Sequence, residues 1–186
     1  MVTALKKKED PFSIRNKLGR VVWNIVWVVL FRPSPRACHA WRRGLLKLFG
    51  ARIAATAKPY PSARVWAPWN LVMEAGSCLA DHVDCYCMDT ITLRAYSTVS
   101  QYTFLCAGSH DPGDLTLPLV TAPIEIGKHA WVTADVFIGP GVTVGEGAVV
   151  GVRSSVHKDI EPWTVVIGNP ARFLKQRVVD TQKIDS

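Results

Sequence analysis

The stretch IGKHAWVTADVFIGPGVTVGEGAVVGVRSSV, residues 126–156, repeats itself every six residues. Ile126, Val132, Ile138, Val144, Val150 and Val156 are all β-branched aliphatics. Glycine follows at Gly127, Gly139, Gly145 and Gly151, and small or β-branched residues recur at Ala130, Val136, Val142, Ala148 and Ser154. A period of six matches neither the helix, at about 3.6, nor the strand, at about 2. It describes one short strand and one turn per unit. Three units close a triangular coil, and stacked coils bury the aliphatic column as a continuous core. Each Ile or Val buried in this way contributes roughly 1.5–3 kcal/mol. The glycines mark either a positive φ or a close approach of backbone.

The same frame runs earlier in the chain. Leu93, Val99 and Leu105 keep the spacing, as do Met73, Leu79 and Cys85. The two groups are out of phase by two residues, which predicts a short insertion between Cys85 and Leu93. Residues 51–72 are expected to form irregular first coils. Between Leu105 and Ile126 the frame breaks by more than one coil side. Residues 109–123, SHDPGDLTLPLVTAP, are rich in Pro, Gly and Asp and read as a loop extruded from the solenoid. Long loops in compact folds are usually functional, and functional side chains concentrate on loops held by rigid scaffolds. His110 stands at the start of this loop.

Two helical patterns precede the repeats. Leu18, Val21, Val22, Ile25, Val26 and Val29 fall on one helix face, which Trp23, Trp27 and Leu30 widen. Pro33 ends the first helix. Ser34 reads as the N-cap of a second, with Pro35 at its first position and Gly50 near its end. Residues 1–52 are therefore read as a helical segment, 53–160 as the solenoid with its loop, and 161–186 as a closing segment and tail.

The formal charge of +7 is unevenly placed. Residues 1–52 hold 12 Lys and Arg against Glu9 and Asp10, leaving the remaining 10 basic residues to face 13 acidic ones. An anionic partner is expected for the N-terminal segment and no nucleic acid for the acidic body. The apolar run from Val21 to Phe31 is too short to span a bilayer, which takes roughly 20 residues. With its flanking cations it has the composition of an interfacial helix, although it could equally cap the first coil. No signal peptide is expected. Five cysteines without a CxxC pair suit a reducing compartment.

The repeat, the SHDP loop and the closing PWTVVIGNPARFLKQR resemble the hexapeptide-repeat acyltransferases, nearest to the colanic-acid-type exopolysaccharide acetyltransferases. The N-terminal NKLGRVVWNIVWVVLFRPSPR and YPSARVWAPWNL resemble the same group. The fold implied is an all-β solenoid, a left-handed parallel β-helix of hexapeptide repeats with an N-terminal helical segment. The activity implied is O-acetyl transfer from acetyl-CoA to a saccharide or lipid-linked saccharide precursor of a surface polysaccharide. The resemblance further implies a homotrimer with active sites between subunits. It matches His110 to the catalytic base and maps cofactor contacts to Trp131, Ala134, Val152, Arg153, His157, Asn169, Pro170, Arg172 and Lys175. Glu74 and Arg94 depart from the pattern, standing where the repeat prefers glycine. N-acetylation of an amino sugar, or a non-acetylating β-helix of scaffold or carbonic-anhydrase type, are the alternatives.

The chemistry asks for little. A saccharide hydroxyl is a poor nucleophile near neutral pH, and a neutral imidazole that takes its proton as the C–O bond forms supplies about 10²–10⁴-fold. A carboxylate or backbone carbonyl is expected to hold the Nδ1 proton, leaving Nε2 as the base. Asp111 and Asp89 are weak candidates for acceptor binding. Arg172 and Lys175 suit the phosphates of the cofactor. His82, Cys85 and Cys87 form HxxCxC, but no second ligand pair stands at zinc spacing, and no metal is expected. The protein is expected in the cytoplasm, peripherally at the inner face of the cytoplasmic membrane.

Overall fold

The computed structural model describes residues 12–179. The six-residue period becomes a left-handed parallel β-helix of five complete coils and a partial sixth. The first coil runs through β1 (Arg52–Ile53), β2 (Lys58–Pro59) and β3 (Arg64–Val65). The second uses β4 (Leu71–Met73), β5 (Cys78–Leu79) and β6 (Asp84–Tyr86), and the third β7 (Ile91–Leu93), β8 (Thr98–Val99) and β9 (Phe104–Cys106). After a hairpin of β10 (Gly108–His110) and β11 (Leu119–Thr121), the fourth coil takes β12 (Ile124–Ile126), β13 (Trp131–Val132) and β14 (Phe137–Ile138). The fifth takes β15 (Thr143–Val144), β16 (Val149–Val150) and β17 (Ser155–Val156). Ile160 then bridges to Val144, and β18 (Thr164–Ile167) turns back as β19 (Arg172–Gln176).

Inward residues stack one coil on the next. Ile53, Met73, Leu93, Ile126 and Val144 form the column of the first face. Leu79, Val99, Val132 and Val150 continue the second, and Cys85, Leu105, Ile138 and Val156 the third. All of these side chains are buried. The glycines after the inward residues serve close approach, not positive φ. A Cβ on Gly145 would stand 2.5 Å from the Pro162 nitrogen, and one on Gly127 2.6 Å from the Val144 carbonyl. Left-handed φ falls instead three residues after the inward position, as at Tyr96 (58°), His129 (57°), Asp135 (58°) and Arg153 (57°). Where glycine is replaced by Glu74 and Arg94, an ion-pair ladder fills the column. The Arg94 guanidinium reaches Glu125 at 2.8 Å and Glu74 at 2.9 Å.

The predicted two-residue insertion lies at the corner between the third and first faces. It recurs one coil earlier, between Val65 and Met73, so the corner is a fixed departure from the repeat. Over residues 51–72, expected to be irregular, the first coil is regular through Val65, and the irregularity is confined to the corner with its 3-10 turn, Pro68–Asn70. The coil's frame is Ile53, Pro59 and Val65, and the proline hides it. Proline is tolerated there because no coil lies beneath to receive an N–H.

That missing neighbour explains the N-terminal segment. On the free edge, carbonyls of the first coil point away from the solenoid, and each needs a donor. Helix α1 (Ile14–Val26) runs into a π turn, Trp27–Phe31, and α2 (His39–Leu48) follows. The Trp23 indole N–H donates to the Val65 carbonyl at 2.7 Å, and that of Trp27 to Ala63 at 2.9 Å. Arg42 Nε donates to Pro59 at 2.8 Å, and Arg43 to Ala57 at 3.0 Å. Trp23, Trp27 and Phe31 are four residues apart. A four-residue step overshoots an α turn of about 3.6 residues and undershoots the wider π turn, so the change of helix type keeps all three facing the coil.

The second helix starts at His39, not at Pro35 as expected, and its N-cap is Cys38, without a side-chain bond. Ser34 is drawn elsewhere. Its hydroxyl donates to the Phe31 carbonyl at 2.6 Å and accepts from Arg42 at 2.8 Å. The fully buried Arg42 guanidinium also takes the Pro35 and Arg36 carbonyls, so residues 34–36 wrap this cation instead of beginning a helix. Burial holds Arg42 below its ordinary pKa. The cap yields a direct test. Trp23→Phe keeps an aromatic ring but loses the indole N–H, stranding the Val65 carbonyl, and should lower stability by at least about 1–3 kcal/mol in urea melts.

Candidate active site

His110 ends β10, whose antiparallel partner pairs Gly108 with Thr121, Ser109 with Val120 and His110 with Leu119. The expected loop is thus an ordered hairpin arm. It leaves the same corner that carries the insertions, and the insertion below supports it. Ala107 N–H donates to the Tyr86 carbonyl at 3.2 Å, and Ile124 N–H to Thr90 at 3.0 Å. Met88 packs so close to Gly108 that a Cβ there would collide with its sulfur. Asn70 fixes the insertion by donating to the Cys87 and Met88 carbonyls, each at 3.0 Å.

The tip is organised by its aspartates. Asp111 accepts from Gly113 N–H at 2.8 Å, and Asp114 accepts from both the N–H and the hydroxyl of Thr116, at 2.8 and 2.9 Å. The backbone bond first, then the hydroxyl, holds the Asp114 carboxyl below its ordinary pKa. Leu117 N–H closes on the Asp114 carbonyl at 2.8 Å, and Leu117 takes a left-handed φ of 48°. Its own carbonyl then lies 2.7 Å from His110 Nδ1. A carbonyl only accepts, so Nδ1 carries the hydrogen and the neutral ring presents the lone pair of Nε2. The imidazole is exposed, and Nε2 has no hydrogen-bond partner among the described residues. Of the two orienting groups expected, a carboxylate or a carbonyl, the structure uses the carbonyl. Nothing in the local sequence singles out Leu117 for this. Asp111 is occupied within the tip, while Asp89 caps Thr90 N–H at 2.6 Å on the insertion beneath the arm. The two aspartates are not brought together.

The other candidate residues fall into three places. Trp131 stands exposed on the second face, its indole N–H held by Ser100 Oγ at 3.0 Å, a partner the sequence did not signal. Lys175 shares its row through Val165 and Val149, three strand spacings of about 4.8 Å away. Ala134 and Arg153 meet at the corner between second and third faces, where Arg153 N–H donates to the Ala134 carbonyl at 3.1 Å. Arg153 also pairs with Asp135 at 3.0 Å, and Val152 beside it is exposed. The closing segment lies over β17: Ser155 N–H donates to the Gly168 carbonyl and Ala171 N–H to the Ser155 carbonyl, placing Asn169 and Pro170 between them. His157, Pro170 and Arg172 line one groove of about 460 Å³, with Lys158, Asp159 and Glu161 on its walls. No hydrogen bond or ion pair among the described residues joins His110 to this set. Its arm springs from the third coil, whereas the groove sits on the fifth.

The HxxCxC residues are separated by the fold. Cys85 and Cys87 are buried in the prism, while His82 is exposed and stacked on Tyr102 at 5.1 Å. The described residues hold no group of three His, Cys, Asp or Glu placed to bind a metal ion.

No protein-family model matches the chain. It is 40% identical over 163 residues to the colanic acid biosynthesis acetyltransferase WcaF of Escherichia coli, covering 88% of this chain and 90% of that protein. Its fold is shared with a hexapeptide-repeat acetyltransferase of Vibrio cholerae solved with acetyl coenzyme A, at a TM-score of 0.78 and 23% identity, covering 91% of this chain and 93% of the other. A maltose O-acetyltransferase of Clostridium difficile gives a TM-score of 0.75 at 22% identity, covering 90% of both chains. At such identities the structural likeness speaks for the fold alone.

Proposed function

We propose, because this chain belongs to the colanic acid biosynthesis acetyltransferase family of hexapeptide-repeat proteins, that it moves acetyl from acetyl-CoA to a hydroxyl of a saccharide or lipid-linked saccharide precursor of a surface polysaccharide. The observation that carries the mechanism is the 2.7 Å contact between His110 Nδ1 and the Leu117 carbonyl, which in the neutral ring makes Nε2 the free acceptor. In this reading, Nε2 accepts the hydroxyl proton as the acceptor oxygen attacks the thioester carbonyl. The tetrahedral intermediate then collapses. The C–S bond breaks, the thiolate takes the proton back from the imidazolium, and the acetyl ester and free coenzyme A leave. No acyl-enzyme forms, and no step calls for a metal.

The groove at His157, Pro170 and Arg172 is proposed for the phosphates of the donor, with Arg172 and Lys158 as its cations beside Asp159 and Glu161. Trp131, Ala134, Val152, Arg153, Asn169 and Lys175 are proposed as the remaining donor contacts, with Asp89 and Asp111 as acceptor contacts. The separation of arm and groove on one chain supports a homotrimer in which His110 of one copy faces the donor held by another. A half-buried outward ladder on the third face, Trp66, Tyr86, Phe104 and Phe137 with rings 5.5–6.0 Å apart, supplies an apolar surface for neighbouring copies. The place of action proposed is the cytoplasm, peripherally at the inner face of the membrane. No helix among the described residues is long and apolar enough to cross one.

An acetyl-CoA consumption assay over sugars, nucleotide sugars and lipid-linked glycans tests the reaction. His110→Ala should lower kcat by about 10²–10⁴-fold with acetyl-CoA affinity and oligomer mass unchanged. Turnover near wild type in the variant would remove His110 from the reaction. Arg172→Glu should weaken acetyl-CoA binding about tenfold or more by calorimetry, and a fragment without phosphates much less. Equal losses for both would take Arg172 out of the phosphate site. Sedimentation at micromolar concentration should give the mass of a trimer, and a lone monomer would refute the shared site.

A further inference from the structure

The face of α1 that caps the solenoid is its tryptophan side, and the opposite side is left uncovered. Ile14, Leu18, Val21, Val22, Ile25 and Val29 lie along that outer side and are 51–75% exposed. Their spacings of three and four keep them on one stripe of the helix, and Val28 and Leu30 extend it through the π turn. Asn24 is the one polar residue between Val21 and Phe31. At the far end stands Trp41, half exposed, its indole N–H fixed to the Leu30 carbonyl at 3.0 Å. On a helical projection Arg15 and Lys17 fall on opposite rims of the stripe, and Arg32 follows its end. The stripe is about 24 Å long at 1.5 Å per residue, but only one side of the helix is free.

We infer that this stripe lies flat in the headgroup region of an anionic lipid surface, with Trp41 at the polar boundary and Arg15, Lys17 and Arg32 on the headgroups. Two features favour lipid over a second copy of the chain. First, the charged residues that rim the stripe, Arg15, Lys17 and Arg32, are all basic and residues 12–52 hold no acidic residue, so a contact between copies through this face brings like charge to like. An anionic surface neutralises it instead. Second, the stripe is built of short aliphatics along one side of a helix. A lipid surface asks only for apolar area and charge. Anionic polymers in water match the charge and leave the aliphatic row wet.

The test uses the full chain and needs no turnover, so its failure leaves the acetyl-transfer reading untouched. Sedimentation with vesicles of phosphatidylcholine and phosphatidylglycerol should carry the protein into the pellet, and vesicles of phosphatidylcholine alone should not. Raising ionic strength from about 0.01 to about 1 M shortens screening from about 30 to about 3 Å and should release most of it. The triple variant Leu18→Gln, Ile25→Gln, Val29→Gln alters exposed side chains only. It should keep its circular dichroism and oligomer mass while binding anionic vesicles roughly tenfold less. Three results would overturn the inference. These are no binding to anionic vesicles at low ionic strength, undiminished binding by the triple variant, and a change of oligomer mass in that variant, which would make the stripe a contact between copies.

Discussion

Each coil of this protein holds itself up by lying on another. A strand of two or three residues has no stability alone, and the backbone bonds that satisfy one coil come from its neighbours. The inward columns must therefore be continuous, and a side chain of the wrong size on one level is felt on the next. That explains the glycines at positions 127 and 145, where the adjoining backbone leaves no room for a Cβ. It also explains why departures from the repeat are confined to one corner. An insertion there loops outward without interrupting any column.

The same dependence makes both ends a liability, and the two are met differently. At the C-terminal end β19 folds back antiparallel on β18. At the N-terminal end no strand is available, and side chains do the work. Two indoles, two arginines and His39, whose Nδ1 lies 2.9 Å from the Pro59 carbonyl, cover the free carbonyls of the first coil. Burial first, with Arg42, Arg43 and Lys58 nearby, lowers the pKa of His39. The folded cap thus favours the neutral ring, and its contribution is lost as pH falls below the ordinary histidine range.

Rigidity at the corner is what fixes the geometry of the arm. The hairpin starts on a coil fixed by hydrogen bonds from Ala107 and Ile124, and its tip is tied by two aspartates. The Leu117 carbonyl can then hold His110 in one tautomer without a buried carboxylate. A carbonyl sets the direction and tautomer of the ring without adding a charge beside it.

The sequence by itself determined the solenoid, because a period of six over residues 126–156 admits one way of burying its aliphatics. It located the arm and singled out His110, because the frame fails over 109–123 and the turn-forming residues collect there. It also showed the charge of residues 1–52. Tertiary structure alone decided which side of α1 meets the protein. Both sides are apolar, and helical periodicity cannot rank them. Only the free carbonyls of Val65 and Ala63 favour the side whose side chains can donate. The start of α2 was decided in the same way, by Arg42 drawing carbonyls from residues 35 and 36. The partner of His110 was hidden for a related reason. It is a backbone carbonyl, aimed by the φ of Leu117, and every residue carries one, so no side-chain pattern could have marked it.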